Sequence, residues 1–124
     1  MNTRAAATLT IATCLLLSAS GYAHHGAASF DNDKTLTLKG TVTEWLWLNP
    51  HCFLKIDVKD ETGTLRNWNL ELGNPTDSTT VGYRRTSFKP GDEVTVTVTP
   101  VKSGAPIGRL RTVILPNGQK LPQQ

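Results

Sequence analysis

Three histidines occur in the 124 residues, at positions 24, 25 and 51, and they fall in two places. His24-His25 follows a segment ending in small residues, and His51 closes an Asn49-Pro50-His51 corner. If the segment before it is cut away, His24 becomes an N-terminal histidine. Its free amine and ring Nδ1 can then close one chelate on a single metal ion, and copper(II) favours nitrogen donors in a tetragonal arrangement. A further imidazole from His51, fixed by the Asn-Pro turn, would add a third nitrogen. His24, His25 and His51 are therefore the candidate metal ligands, for copper or zinc. The amine, with an ordinary pKa of about 8, must lose its proton to ligate, so such a site weakens in acid. Against this stands the plainer reading, in which a new terminus frays and His51 only hydrogen-bonds its own turn. Cleavage one residue later would hand the same role to His25.

A second candidate is a ligand-binding face made by Trp45, Trp47, Phe53, Asn69 and Glu71. If Lys59 pairs with Leu65 across the Asp60–Gly63 turn, Lys55 faces Asn69 and Phe53 faces Glu71. His51 then lies diagonally close to Glu71, whose carboxylate can orient the ring, as carboxylates do for metal-bound histidines. Trp45 and Trp47 join this face if their strand keeps its alternation; otherwise they close one end of the fold. Nothing marks a catalyst. There is no Gly-x-Ser-x-Gly elbow and no phosphate loop, and Cys52 has inward parity while His51 has the opposite one. The expectation is a protein that is not an enzyme.

These residues need positioning, and the chain reads as strands. Residues 36–48 alternate, with Leu36, Leu38, Val42 and Leu46 on one face and Trp45 and Trp47 on the other; Gly40 is a natural bend. Residues 51–58 put Cys52, Leu54, Ile56 and Val58 on one face, and residues 65–72 do the same with Trp68, Leu70 and Leu72. Residues 73–89 break the alternation, and Asn74-Pro75 followed by Thr76, Asp77 and Ser78 opens a short irregular helix. Val81, Tyr83 and Phe88 can cover an open sheet end. After the Lys89–Asp92 turn, residues 93–99 form the cleanest strand, with Val94, Val96 and Val98 inward. The last strand, 109–115, sets Leu110 and Ile114 on one face. Three strands, a helix and two strands is the order of an OB-fold. The predicted class is all-β, a small five-stranded OB-like barrel with one short helix between strands 3 and 4. An immunoglobulin-like sandwich would need about seven strands.

The domain plan is a signal peptide over 1–23, an N-terminal arm over 24–35, the barrel over 36–118 and a frayed tail over 119–124. Arg4, an apolar run centred on residues 9–17, and Gly21 and Ala23 at minus three and minus one give the order of a secretory signal. The apolar run, broken by Thr10 and Thr13, is well short of the ~20 residues a spanning helix needs. The expected location is periplasmic, with no membrane span after cleavage. Removing 23 residues leaves 101, with 12 Lys+Arg against 10 Asp+Glu and one cysteine, Cys52. No Lys/Arg run exceeds Arg84-Arg85, so no phosphate-tracking stripe exists and nucleic acid is not an expected partner. A closed barrel offers little edge for self-association, so a monomer is expected. The partner is an unidentified ligand or periplasmic protein.

Read together, His24-His25-Gly26, Phe30-Asp31, Lys39-Gly40-Thr41-Val42, Asn49-Pro50-His51, Trp68, Glu71-Leu72-Gly73 and Lys89-Pro90-Gly91-Asp92 resemble, in this order, a family of small exported bacterial proteins of unknown function. The resemblance covers the chain after residue 23 and implies an exported β protein without an assigned activity. At fold level the chain is also similar to exported bacterial OB-fold proteins, which is a weak guide to function.

Overall fold

Strand β1 (Leu36–Leu46) is too long to serve one partner. Its first half, Leu36 to Thr41, pairs antiparallel with Glu93–Val98 of β4 (Glu93–Pro100), and its second half, Thr41 to Leu46, pairs antiparallel with Phe53–Asp57 of β2 (Phe53–Lys59). The changeover is at Gly40, where any Cβ would stand 2.6 Å from the Asp57 carbonyl oxygen. Only glycine permits this approach. Our computed structural model describes residues 29–122.

β2 continues through the Asp60–Thr64 turn into β3 (Leu65–Glu71), and the pairing runs from Lys59 opposite Leu65 to Phe53 opposite Glu71, as expected. Helix α1 (Pro75–Thr80) follows, with Asn74 as its cap: Asn74 Oδ1 accepts from the Asp77 N–H at 2.9 Å and proline stands in the first turn. β4 and β5 (Ile107–Ile114) are antiparallel neighbours. Three residues of β5, Ile107 to Arg109, pair in parallel with Asn69 to Glu71 of β3. That pairing closes a five-strand barrel around β1, β2, β3, β5 and β4, with the short helix between strands 3 and 4. The core is the inward set of the five strands, Val42, Leu54, Ile56, Trp68, Leu70, Val94, Val96, Val98, Leu110 and Val113, with the Cys52 thiol buried among them.

Two bulges overturn parts of the alternation reading. In β1 the register slips between Val42 and Glu44, so Thr43 is extra and every later side chain changes face. Trp45 therefore stands opposite buried Leu54, toward the core, and Leu46 stands opposite Phe53 on the outside, the reverse of the expected arrangement. In β5 the slip lies between the partners of Thr97 and Val98, leaving Arg111 unpaired. Leu110 and Val113 point inward, while Ile114, expected beside Leu110, is 43% exposed. Tyr83 and Phe88 cover the barrel end as anticipated, but Val81 stays outside the core.

Residues 119–122 of the expected tail are not frayed. The Pro116–Gly118 turn, with Gly118 at φ 82°, returns the chain so that β6 (Lys120–Leu121) pairs with Val113 and Ile114, and Leu121 is 1% exposed. A large apolar side chain one strand-width from Val113 is better buried than wet. At the other end, Phe30 is fully buried and bridges Val101, with hydrogen bonds from Asp31 N to the Pro100 oxygen and from Lys102 N to the Ser29 oxygen. No helix among the described residues is long and apolar enough to cross a membrane.

Candidate functional site

The β2–β3 ladder extends past the ends of both strands: Cys52 N donates to the Gly73 oxygen and Leu72 N to the Cys52 oxygen, each at 2.9 Å. This zipper brings His51 alongside the end of β3. Its Nδ1 lies 3.1 Å from the Leu72 oxygen and 3.4 Å from Glu71 Oε1. Both neighbours are acceptors, so Nδ1 carries the proton. A neutral ring then keeps its lone pair on Nε2, the tautomer of a metal-bound or base histidine whose other nitrogen is tied to a carboxylate or carbonyl. The expected approach of Glu71 to His51 is thus present.

Barrel closure adds a residue that sequence reasoning passed over. Arg109 is the parallel partner of Glu71. Its guanidinium carbon lies over the buried Phe30 ring, 4.4 Å from the centroid, a cation–π contact that holds the group in place without giving it a hydrogen-bond acceptor. His51, Glu71, Leu72, Gly73, Arg109 and Leu110 line a cleft of about 320 Å³. A neighbouring hollow of about 410 Å³ shares Leu72, Gly73 and Leu110, and reaches Tyr83, Arg111 and Pro122. Burial of Tyr83 holds its phenol protonated well above the usual range. Only the relation between Glu71 and Arg109 across the β3–β5 seam reveals the cleft, and no local pattern encodes that seam.

The proposed aromatic face does not assemble. Phe53, Lys55, Asn69 and Glu71 share the outer surface of β2 and β3, as their register requires, but Leu46 and Glu44 stand beside them where tryptophans were expected. Lys55 Nζ bonds Glu44 Oε2 at 2.6 Å. Trp45 packs edge-on against Phe88 at 4.9 Å between centroids, lies 5.5 Å from Trp47, and donates its indole N–H to the Arg84 oxygen. Both tryptophans thus belong to the barrel plug. Asn69 Oδ1 is buried without a hydrogen-bond partner among the described residues.

His24 and His25 lie outside the described residues. Among the described residues no group of three or more His, Cys, Asp or Glu side chains could hold a metal ion. His51 and Glu71 are the pair with metal-ligating chemistry in the cleft, an imidazole and a carboxylate.

Fold and cleft together define a small closed β-barrel of OB type with a mixed-charge cleft at its β3–β5 seam. The chain belongs to a family of unknown function, DUF6152, whose model matches residues 12–110. No curated protein and no solved structure matches it.

Proposed function

We propose that the protein is an exported, periplasmic binding module without catalytic activity, and that its ligand site is the cleft between His51, Glu71 and Arg109. The supporting observation is convergence: an imidazole, a carboxylate and a guanidinium from three separate chain segments meet in a 320 Å³ hollow with apolar Leu72 and Leu110 at its floor. A few polar groups over an apolar lining is how small-ligand sites are built. Export is supported by the order of Arg4, the apolar stretch and the small residues Gly21 and Ala23. A mass spectrum of the secreted protein should begin at His24; an intact Met1 would defeat this part. For the cleft, the ¹⁵N-labelled secreted protein is titrated with hexanoate, hexylammonium and hexanol. Saturable amide shifts confined to Gly73, Leu110 and their neighbours with any of the three support the reading. No saturable shift with any probe overturns it.

A copper- or zinc-binding role using His24, His25 and His51 is the second reading. Two observations favour it: the Nδ1 of His51 faces two acceptors, and buried Phe30 lies against Arg109, which lines the same cleft. From Ser29 back to His24 is five residues, a reach of up to about 17 Å in extended chain. Copper titration should give a nitrogen-rich tetragonal spectrum that is lost in His24→Ala and in His51→Ala. A spectrum unchanged by both substitutions removes this role.

A further inference from the structure

Arginine is the residue whose partners decide what a cleft can recognise, and the described arginines differ in this respect. Arg84 gives its N–H groups to the Thr79 and Tyr83 carbonyls, Arg66 to Gly104 and Arg111 to the Thr99 hydroxyl, while Arg85 is exposed to water. Arg109 is half-buried, yet among the described residues none accepts a hydrogen bond from its guanidinium, and no carboxylate lies within 4.0 Å of it. It is not loose. The guanidinium carbon sits over the ring of Phe30, which is itself anchored to Val101. Contact with a ring offers the guanidinium no oxygen or nitrogen acceptor for its five N–H donors. Partial burial has removed much of its water without giving it a protein acceptor, which is unfavourable unless a ligand completes the set. The group is therefore pre-oriented for a planar anion that can take two parallel N–H bonds.

The rest of the cleft narrows the ligand. Glu71 is the acid beside Arg109 in register, and its Oε1 sits 3.4 Å from His51 Nδ1 rather than on the guanidinium. The floor, Leu72 and Leu110, is apolar and continues into the second hollow toward Val81 and Pro122. A multiply charged anion would be repelled by Glu71 and would gain nothing from this floor. We propose that the cleft takes an organic monocarboxylate, with the carboxylate bidentate on Arg109 and an apolar tail running over Leu72 and Leu110. This rests on the binding-module reading and specifies its ligand class.

The three-probe NMR titration separates the two claims. Hexanoate should bind saturably, with a Kd on the order of 1 mM for a single charged contact over a small apolar floor, and should shift the Arg109 side-chain Nε–H. Hexylammonium and hexanol should bind at least about tenfold more weakly, and acetate, lacking the tail, should do the same. Arg109→Gln should lower hexanoate affinity about tenfold or more, whereas Glu71→Gln, which removes a repelling charge, should raise it. The unchanged amide spectrum outside the cleft shows that each variant is folded. If hexylammonium or hexanol binds as well as hexanoate, or if Arg109→Gln leaves hexanoate affinity intact, the carboxylate assignment falls while the binding module stands. If none of the probes binds, both fall.

Discussion

His51 illustrates how little of a side chain's chemistry is set by its type. Tied by Nδ1 to the Leu72 carbonyl and to Glu71, its ring has one tautomer to offer. Histidine ¹⁵N correlation spectra above the titration of the ring should show His51 as the Nδ1–H form; an Nε2–H pattern would contradict the geometry on which both functional readings draw. Asp60 gives a second prediction at this scale. The Thr62 hydroxyl, joined by the Thr64 and Thr62 backbone N–H groups and by nearby Arg66, holds its carboxylate below the ordinary range against the opposing effect of desolvation. A carboxyl whose folded pKa is depressed stabilises the fold fully above its unfolded value, and that contribution is lost as pH falls through the folded value. Thr62→Ala should therefore move the Asp60 carbon titration upward and narrow the pH window over which acidification lowers the melting temperature. Asp92 behaves alike, with Lys89 as the principal cause.

The bulges and the close approach at Gly40 operate at the scale of elements. β1 must leave β4 and join β2 within one strand, and it does so by passing its backbone against Asp57. A methyl at position 40 would meet backbone, which cannot yield as a side chain can. Gly40→Ala should cost about 1–3 kcal/mol, read as a lower urea midpoint with an unchanged slope. A midpoint equal to that of the parent protein would mean that the crossing is looser than described. Five strands and the β2–β3 pairing were legible in the sequence: the inward sets of β2, β3 and β4 and the cap at Asn74 follow from local alternation and capping chemistry. The parity of Trp45, Leu46 and Ile114 was not. A single extra residue reverses every face beyond it, and neither Thr43 nor Arg111 differs in type from ordinary outward strand residues.

In the whole molecule, the two ends of the described chain help to close the barrel. Leu121 comes back through β6 to lie against Val113, and Phe30 packs at the other end beside Val101. Leu121→Ala should lower stability by about 2–4 kcal/mol, the loss expected for truncating a buried leucine; a change below about 0.5 kcal/mol, the range of ordinary surface substitutions, would return residues 119–122 to the status of a tail. The pairing of β3 with β5 also creates the cleft, because it sets Arg109 next to Glu71 although the two are distant along the chain.

Alternation and turn residues were enough to determine an all-β chain, five of its six strands and the one short helix, and to pair Phe53 with Glu71 and bring His51 near the latter. Those features depend on neighbours a few residues away, where backbone geometry repeats every two residues. Tertiary structure alone decided that the tryptophans plug the barrel, that Leu121 belongs to the core, and that Arg109 lies on Phe30 beside the histidine. Each of these follows from how the sheet closes on itself, and closure is a sum over long-range pairings and two one-residue slips that no short stretch of sequence records.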